Sequence, residues 1–258
     1  MRVKSFVLVF FLLVSICNAQ AGKEIELNTL SELFLQKIKR GEDTKAIQEQ
    51  LAKIELDVVV KNLKNDAQKL AFWVNIYNAF IQVTLTENPN LYENRGNFFS
   101  KDRITIAGYL ISFDKIEHGI IRRSQSKLGL GYVKKGFPDK FERLLRVENP
   151  DYRIHFALNC GAKSCPPIRF YSVKDLDEQL DLATRAFLES ETKIDAEKRE
   201  VKITRLFLWF HKDFGGNNGI RKILKNYLHQ DFEGYKMKFK NYSWDIHLDN
   251  YEEGSFPE

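Results

Sequence analysis

The chain has 258 residues, 43% of them hydrophobic and 13% aromatic, and carries a formal net charge of +5. That is enough apolar mass for one large globular domain or two small ones. The positive charges form no long basic run, so the composition makes no case for nucleic-acid binding.

Met1 to Ala19 reads as a secretory signal: Arg2 and Lys4 lead an apolar stretch from Phe6 to Ile16, and Cys17-Asn18-Ala19 supplies a small-x-small cleavage site. Its removal lowers the net charge by two and leaves Gln20 first. The stretch is too short to span a bilayer, and no later one is long and apolar enough. Lipidation at Cys17 is the alternative, disfavoured because Ile16 stands where a lipobox has Gly, Ala or Ser. The expected product is a periplasmic or secreted protein with an N-terminal helical segment over 20–66, one domain over 67–248 and a flexible acidic tail over 249–258. Two cysteines, Cys160 and Cys165, remain in an oxidising compartment, where a pair defaults to a disulfide.

Thr29 and Glu32 have the spacing of a capping box, followed by Leu30, Leu33, Phe34 and Ile38 at helical intervals. Gly41 ends that helix, and a second amphipathic helix is predicted from about Thr44 to Ile54. From Gln68 to Leu85 nearly every residue is apolar, the pattern of a buried central helix. Gln68, Asn75, Asn78 and Gln82 nevertheless fall on one stripe of it. Buried amides need partners; these either bind neighbouring backbone or water, or one of them orients a catalytic side chain. Glu87-Asn88-Pro89-Asn90 breaks the helix.

Arg103 to Phe113 has the pattern of a β-hairpin turning at Ala107-Gly108. Asp114 and Glu117 are spaced as a cap and its reciprocal partner, which predicts a helix from Lys115 and puts His118 in its first turn. A helix N-terminus keeps an imidazole neutral, as a general base requires; a structural hydrogen bond is the other reading of His118. Ser124 to Pro138, with Gly129, Gly131 and Gly136, is a long loop able to border a cleft. A short helix follows over Pro138 to Val147.

Asp151 to Asn159 reads as a strand, with Ile154, Phe156 and Leu158 on one face and Arg153, His155, Ala157 and Asn159 on the other. Continued alternation sends Cys160 into the core as an inert thiol. Cys165 precedes Pro166-Pro167 and is expected at a positive helix end, with Lys163 nearby, in a setting that lowers a thiol pKa. Downstream, Leu176, Leu180, Ala183 and Phe187 share a helix face. Glu200 to Thr204 is a strand, and Leu206 to Phe214 packs with His211 or Asp213 at its edge. Ile220, Ile223, Leu224 and Tyr227 mark a further helix, and Tyr242 to Leu248 is a closing strand.

No Walker loop, G-x-G-x-x-G, H-E-x-x-H or G-x-S-x-G occurs, and the two cysteines lack a histidine-rich partner segment. No metal or cofactor is therefore expected. His211, His229 and His247 are isolated, and neither internal repeats nor low-complexity segments are present.

Three segments together carry a resemblance: A-F-W-V-N-I-Y-N-A-F (Ala71 to Phe80), I-E-H-G-I-I-R (Ile116 to Arg122) and H-F-A-L-N-C-G-A-K-S-C-P-P-I-R (His155 to Arg169). With the later Y-S-W-D-I-H-L they resemble the family of the domain of unknown function 547 (DUF547) over about Ala67 to Leu248. The resemblance implies a mixed α/β domain and a shared Asn, His and Cys set. The expected fold is α+β, a central buried helix packed on a small, mostly antiparallel sheet with flanking helices, with a papain- or transglutaminase-like arrangement as a candidate.

Such a set is the apparatus of a thiol-dependent hydrolase or acyl transferase. In that reading Cys165, or less favourably Cys160, attacks an amide or ester carbonyl. His118 moves the proton, and Asn75 or Asn78 holds the imidazole. Glu117, His155, Asn159 and Arg169 are expected to bind substrate, and backbone amides of Gly161 to Ser164 to stabilise an oxyanion. Here His precedes Cys in the chain, a permuted order. The competing reading is a binding or assembly domain with a structural Cys160–Cys165 disulfide and a peptide, cell-wall or protein partner.

Overall fold

The computed structural model describes residues 26–255; the signal-like segment and Cys17 lie outside them. Fifteen of the 22 residues of one helix, α4 (Asp66–Glu87), are buried, and the N-terminal half of the fold is built around it. Asn65 starts this helix with a complete capping box, its side chain accepting from the Gln68 backbone and Gln68 reaching back to the Asn65 backbone. Trp73, Ile76 and Ile81 are fully buried on different sides of it, each such burial contributing about 1.5–3 kcal/mol.

Three helices precede it: α1 (Leu27–Lys39), α2 (Lys45–Lys53) and α3 (Leu56–Asn62). α1 lies along α4, with Phe34 edge-on to Phe80 at 5.1 Å. Its expected cap is corrected: Glu26 occupies the N-cap position, and Thr29 Oγ1 donates to the Glu26 carboxylate at 3.2 Å. After α4 come a 3₁₀ turn (Pro89–Asn94) and α5 (Arg95–Ser100).

The predicted hairpin is β1 (Ile104–Ile106) and β2 (Tyr109–Ile111). Ala107 (φ 52°) and Gly108 (φ 76°) both take the left-handed conformation that a two-residue hairpin turn demands. The next helix is shifted from its expected start. Helical backbone begins at Phe113, and Ser112 is the residue whose hydroxyl accepts from the Lys115 N–H at 3.1 Å. The segment Lys115–Ile121 is π-helical, a form common at functional sites. His118 is therefore in the last turn, not the first. A long loop and α6 (Lys140–Leu145) follow as expected.

The expected strand over Asp151 to Asn159 is a 3₁₀ turn, Tyr152–Phe156. The Asp151 side chain caps it by accepting from the Arg153 N–H at 2.9 Å. Among the described residues no neighbouring strand pairs with it, and residues 154 to 159 are all buried, whichever way they would alternate. The C-terminal part contains α7 (Leu176–Glu191), β3 (Lys193–Asp195), β4 (Glu200–Ile203), α8 (Leu206–Trp209), α9 (Gly216–Leu228) and β5 (Lys236–Phe239). β4 pairs antiparallel with β3 and parallel with β5. The fold is thus α+β with two small sheets, and α4 packs on α1, the 3₁₀ turn after it and the π-helical segment.

Two hydrophobic clusters result, one around α4 and one uniting α7, β4 and α9, with Phe156 in the second. Tyr242 to Leu248 forms no strand; it runs extended along residues 161 to 164, with one bridge between Ala162 and Ile246. The beginning of the acidic tail is docked: Ile168 N–H donates to Asn250 O at 2.7 Å and Glu252 N–H to Ile168 O at 2.9 Å. Among the described residues, no helix is long and apolar enough to cross a membrane.

Candidate functional site

The amide stripe on α4 organises the site by gripping three separate stretches of backbone. Asn75 donates to Tyr171 O at 2.8 Å and accepts from Tyr171 N–H at 3.2 Å. Asn78 donates to Ala157 O at 3.0 Å and accepts from Asn159 N–H at 2.8 Å. Gln82 accepts from Asp249 N–H at 2.9 Å. Neither asparagine holds an imidazole; their oxygen and nitrogen atoms are engaged by backbone that no strand partner satisfies. Asn159 extends the pattern, donating to Pro166 O and accepting from Gly161 N–H, and is fully buried. Gly161 (φ +83°) completes the approach: a Cβ there would sit 2.6 Å from Leu85 Cδ1 on α4.

The cysteines exchange their expected places. Cys165 is 4% exposed and no helix follows it, whereas Cys160 is half-buried and lines a cleft. The two sulfurs are joined in a disulfide. Cys165 Sγ also accepts from Cys160 N–H at 3.0 Å and from Ala162 N–H at 3.4 Å, and the Tyr242 hydroxyl lies 3.3 and 3.2 Å from the two sulfurs.

The cleft holds about 410 Å³. Residues of both hydrophobic clusters line it, so it sits where they meet. Phe99, Leu158, Trp209, Phe210, Tyr242 and Trp244 make much of its apolar wall, and Leu128, Gly129 and Leu130 of the long loop form one border. Trp209 stacks on Trp244 at 5.6 Å. The polar groups gather around the π-helical segment: Asp114, Glu117 and His118, with His155 beside them.

Behind these groups runs a connected polar network. His118 Nδ1 is 2.8 Å from Arg122 Nη1, which can only donate. The Nδ1 lone pair is therefore taken, and neutral His118 carries its proton on Nε2. Burial, then the Arg122 charge, hold its pKa down at about 4. Arg122 is 2% exposed and pairs with Asp213 through Nε at 2.6 Å and Nη2 at 3.1 Å. Asp213 also accepts from His155 Nε2 at 2.9 Å. Burial opposes ionisation of Asp213, but its hydrogen bonds from His155 and Arg122 win and bring its pKa down to about 2. His155 stacks on Phe210 at 3.9 Å, and burial lowers its pKa. Glu117 accepts from the Tyr77 hydroxyl at 3.3 Å, and burial raises its pKa.

Of the expected site residues, the structure brings Glu117, His118, His155 and Cys160 to one cleft. Asn75, Asn78 and Asn159 stand behind it as backbone clamps, and Arg169 is paired with Glu252 at 3.0 Å. The Cys-His-Asn set is not assembled: the sulfurs are bonded to each other, no hydrogen bond joins either to an imidazole, and the amides face elsewhere. Arg122, Tyr242, Trp209 and Trp244 escaped the sequence reading as site residues, and Asp213 entered it only as an edge residue. The signal for Asp213 was its place as the one carboxylate in the aromatic run Leu206 to Phe214. Among the described residues, no group of three or more His, Cys, Asp and Glu side chains could hold a metal ion.

No curated protein and no solved structure matches the chain. A family model does, over residues 60–188, and its description is a protein of unknown function, DUF547. The matched stretch contains the amide-bearing helix, the π-helical segment and the disulfide loop, while Trp209, Phe210, Tyr242 and Trp244 of the cleft wall lie beyond it. The chain belongs to the DUF547 family.

Proposed function

We propose that this chain is a binding domain, exported to an oxidising compartment, whose cleft takes a peptide segment bearing a large apolar side chain. The observation that carries the reading is the cleft itself: about 410 Å³, walled by Trp209, Phe210, Tyr242 and Trp244, with His118 among the polar groups on its border. The aromatic wall suits an apolar side chain. His118, with Nδ1 occupied by Arg122, has an N–H at Nε2 to offer a carbonyl oxygen. The disulfide loop is part of the wall.

This reading is preferred to a thiol-dependent hydrolase because such an enzyme needs a free sulfur facing an imidazole lone pair. The sulfurs are paired, and the His118 lone pair is spent on a guanidinium.

Tryptophan fluorescence tests it. Trp73 is fully buried in the core, so a change on titration reports Trp209 and Trp244. Titration with N-acetyl-phenylalaninamide and N-acetylated tripeptides with central phenylalanine is expected to give a saturable change, lost in Trp209→Ala, with every peptide recovered intact by chromatography. Absence of saturation with any of them, or cleavage of an amide bond under non-reducing conditions, overturns the reading.

A further inference from the structure

We propose that the Cys160–Cys165 disulfide is a thiol–disulfide exchange site, opened at Cys160 by a thiolate that enters the cleft, with Cys165 as the sulfur that leaves. The inference does not rest on what else the cleft binds. It rests on an asymmetry between the two sulfurs and on how the loop is held.

Access is one-sided. Cys160 is half-buried and lines the cleft, while Cys165 is 4% exposed and belongs to the core around α4. A thiolate arriving from solvent therefore meets Cys160 first. Stabilisation of the departing charge is one-sided too. The N–H groups of Cys160 and Ala162 both aim at Cys165 Sγ, at 3.0 and 3.4 Å, and among the described residues no backbone N–H is directed at Cys160 Sγ. The Tyr242 hydroxyl is within reach of either sulfur and can turn its proton toward Cys165 when the bond opens. Donors aimed at a sulfur favour its thiolate, and a thiol of lower pKa leaves faster.

The loop is held without the bond. Asn159 binds both Gly161 N–H and Pro166 O, spanning the loop from base to base. Lys163 N–H donates to Asp245 O at 2.8 Å, His247 N–H to Gly161 O at 2.9 Å, and the Tyr92 hydroxyl to Cys160 O at 3.0 Å. A bond between residues only five apart in the chain closes little that these contacts leave open. The sulfurs thus remain neighbours after reduction, ready to be joined again.

In the first step the incoming thiolate forms a new S–S bond to Cys160. The Cys160–Cys165 bond breaks, and its electron pair stays on Cys165 as a thiolate. When the attacking group belongs to a dithiol, its second thiolate attacks the sulfur just bound and releases Cys160. The dithiol is oxidised to a disulfide, and the cysteine pair is reduced by the same two electrons. The implied partner is a dithiol, on a protein or a small molecule.

Glutathione is the probe. The folded wild-type protein is incubated with it near neutral pH, quenched with N-ethylmaleimide and mapped by peptide mass spectrometry. Glutathione is expected on Cys160 with the alkyl group on Cys165, at least about tenfold over the opposite labelling. The Tyr242→Phe variant is expected to form the adduct several-fold more slowly at unchanged helical circular dichroism. Adduct mapped to Cys165, adduct divided evenly between the two, or no adduct until denaturant is added overturns the proposal. The wild-type map decides this even if the Tyr242 variant does not fold.

Discussion

Replacing Asp213 with asparagine tests the polar network that backs the cleft. The Asp213 carboxylate receives two hydrogen bonds from Arg122 and one from His155. Arg122 is 2% exposed, so water cannot take over when the carboxylate is lost. Asparagine keeps the shape but offers one acceptor oxygen, and its NH₂ faces groups that themselves donate. Removing one member of a buried ion pair costs about 3–5 kcal/mol. The proton equilibrium supplies a second measure. A carboxyl held from 3.8 down to about 2 corresponds to about 2.4 kcal/mol at about 1.36 kcal/mol per unit. That figure is smaller because it counts only the proton, whereas the substitution also strands the guanidinium.

Because the folded pKa is depressed, this stabilisation is complete above pH 3.8 and is lost as the pH falls toward 2. Urea unfolding followed by circular dichroism at pH 7 and pH 3 measures both effects. Asp213→Asn is expected to lose about 3–5 kcal/mol at pH 7 and to show a weaker pH dependence below 4 than the wild type. A variant within about 1 kcal/mol of wild type at pH 7 refutes the assignment of a buried, unsolvated Arg122 charge.

Asn78→Ala would leave Ala157 O and Asn159 N–H without partners in the interior, at about 1–3 kcal/mol for each. Urea unfolding is expected to show a loss of about 2–6 kcal/mol, with Asn75→Ala comparable; losses below about 0.5 kcal/mol would mean that the amides do not hold the loops. His118 has a pKa lowered from 6.5 to about 4, so between these values the unfolded chain takes up a proton that the folded chain refuses. Stability is expected to fall over that window by up to about 3 kcal/mol, and ¹⁵N chemical shifts at pH 6 to show a neutral imidazole protonated on Nε2. A protonated ring at pH 6, or a proton on Nδ1, would contradict the Arg122 contact.

Where local pattern alone decides structure, the chain was readable in advance. The capped, all-apolar run of α4, the Ala107-Gly108 turn, and the faces of α7 and α9 follow from periodicity and from residues that favour positive φ. Reading failed where a pattern had two physical solutions. The stretch from Asp151 to Asn159 alternates like a strand, but buried side chains on every face satisfy a 3₁₀ turn equally well once Asn78 supplies the hydrogen bonds. The start of the helix before His118 moved because Ser112, not Asp114, caps it.

Sequence by itself determined the family, the central helix and the small set of polar residues around which the cleft is built. Tertiary structure decided what those residues do. Whether an amide orients an imidazole or clamps a loop depends on which groups face it, and those lie tens of residues away: Asn75 meets Tyr171 and Asn78 meets Ala157. The same holds for charge, since burial in the tertiary fold, then the Arg122 charge, keeps His118 neutral, and Arg122 finds its carboxylate in Asp213, 91 residues along the chain. It holds for the cysteines as well, because burial by α4 hides Cys165, and a half-open cleft exposes Cys160. Partners brought together by long-range packing leave no local periodicity, so no reading of neighbours along the chain could supply them.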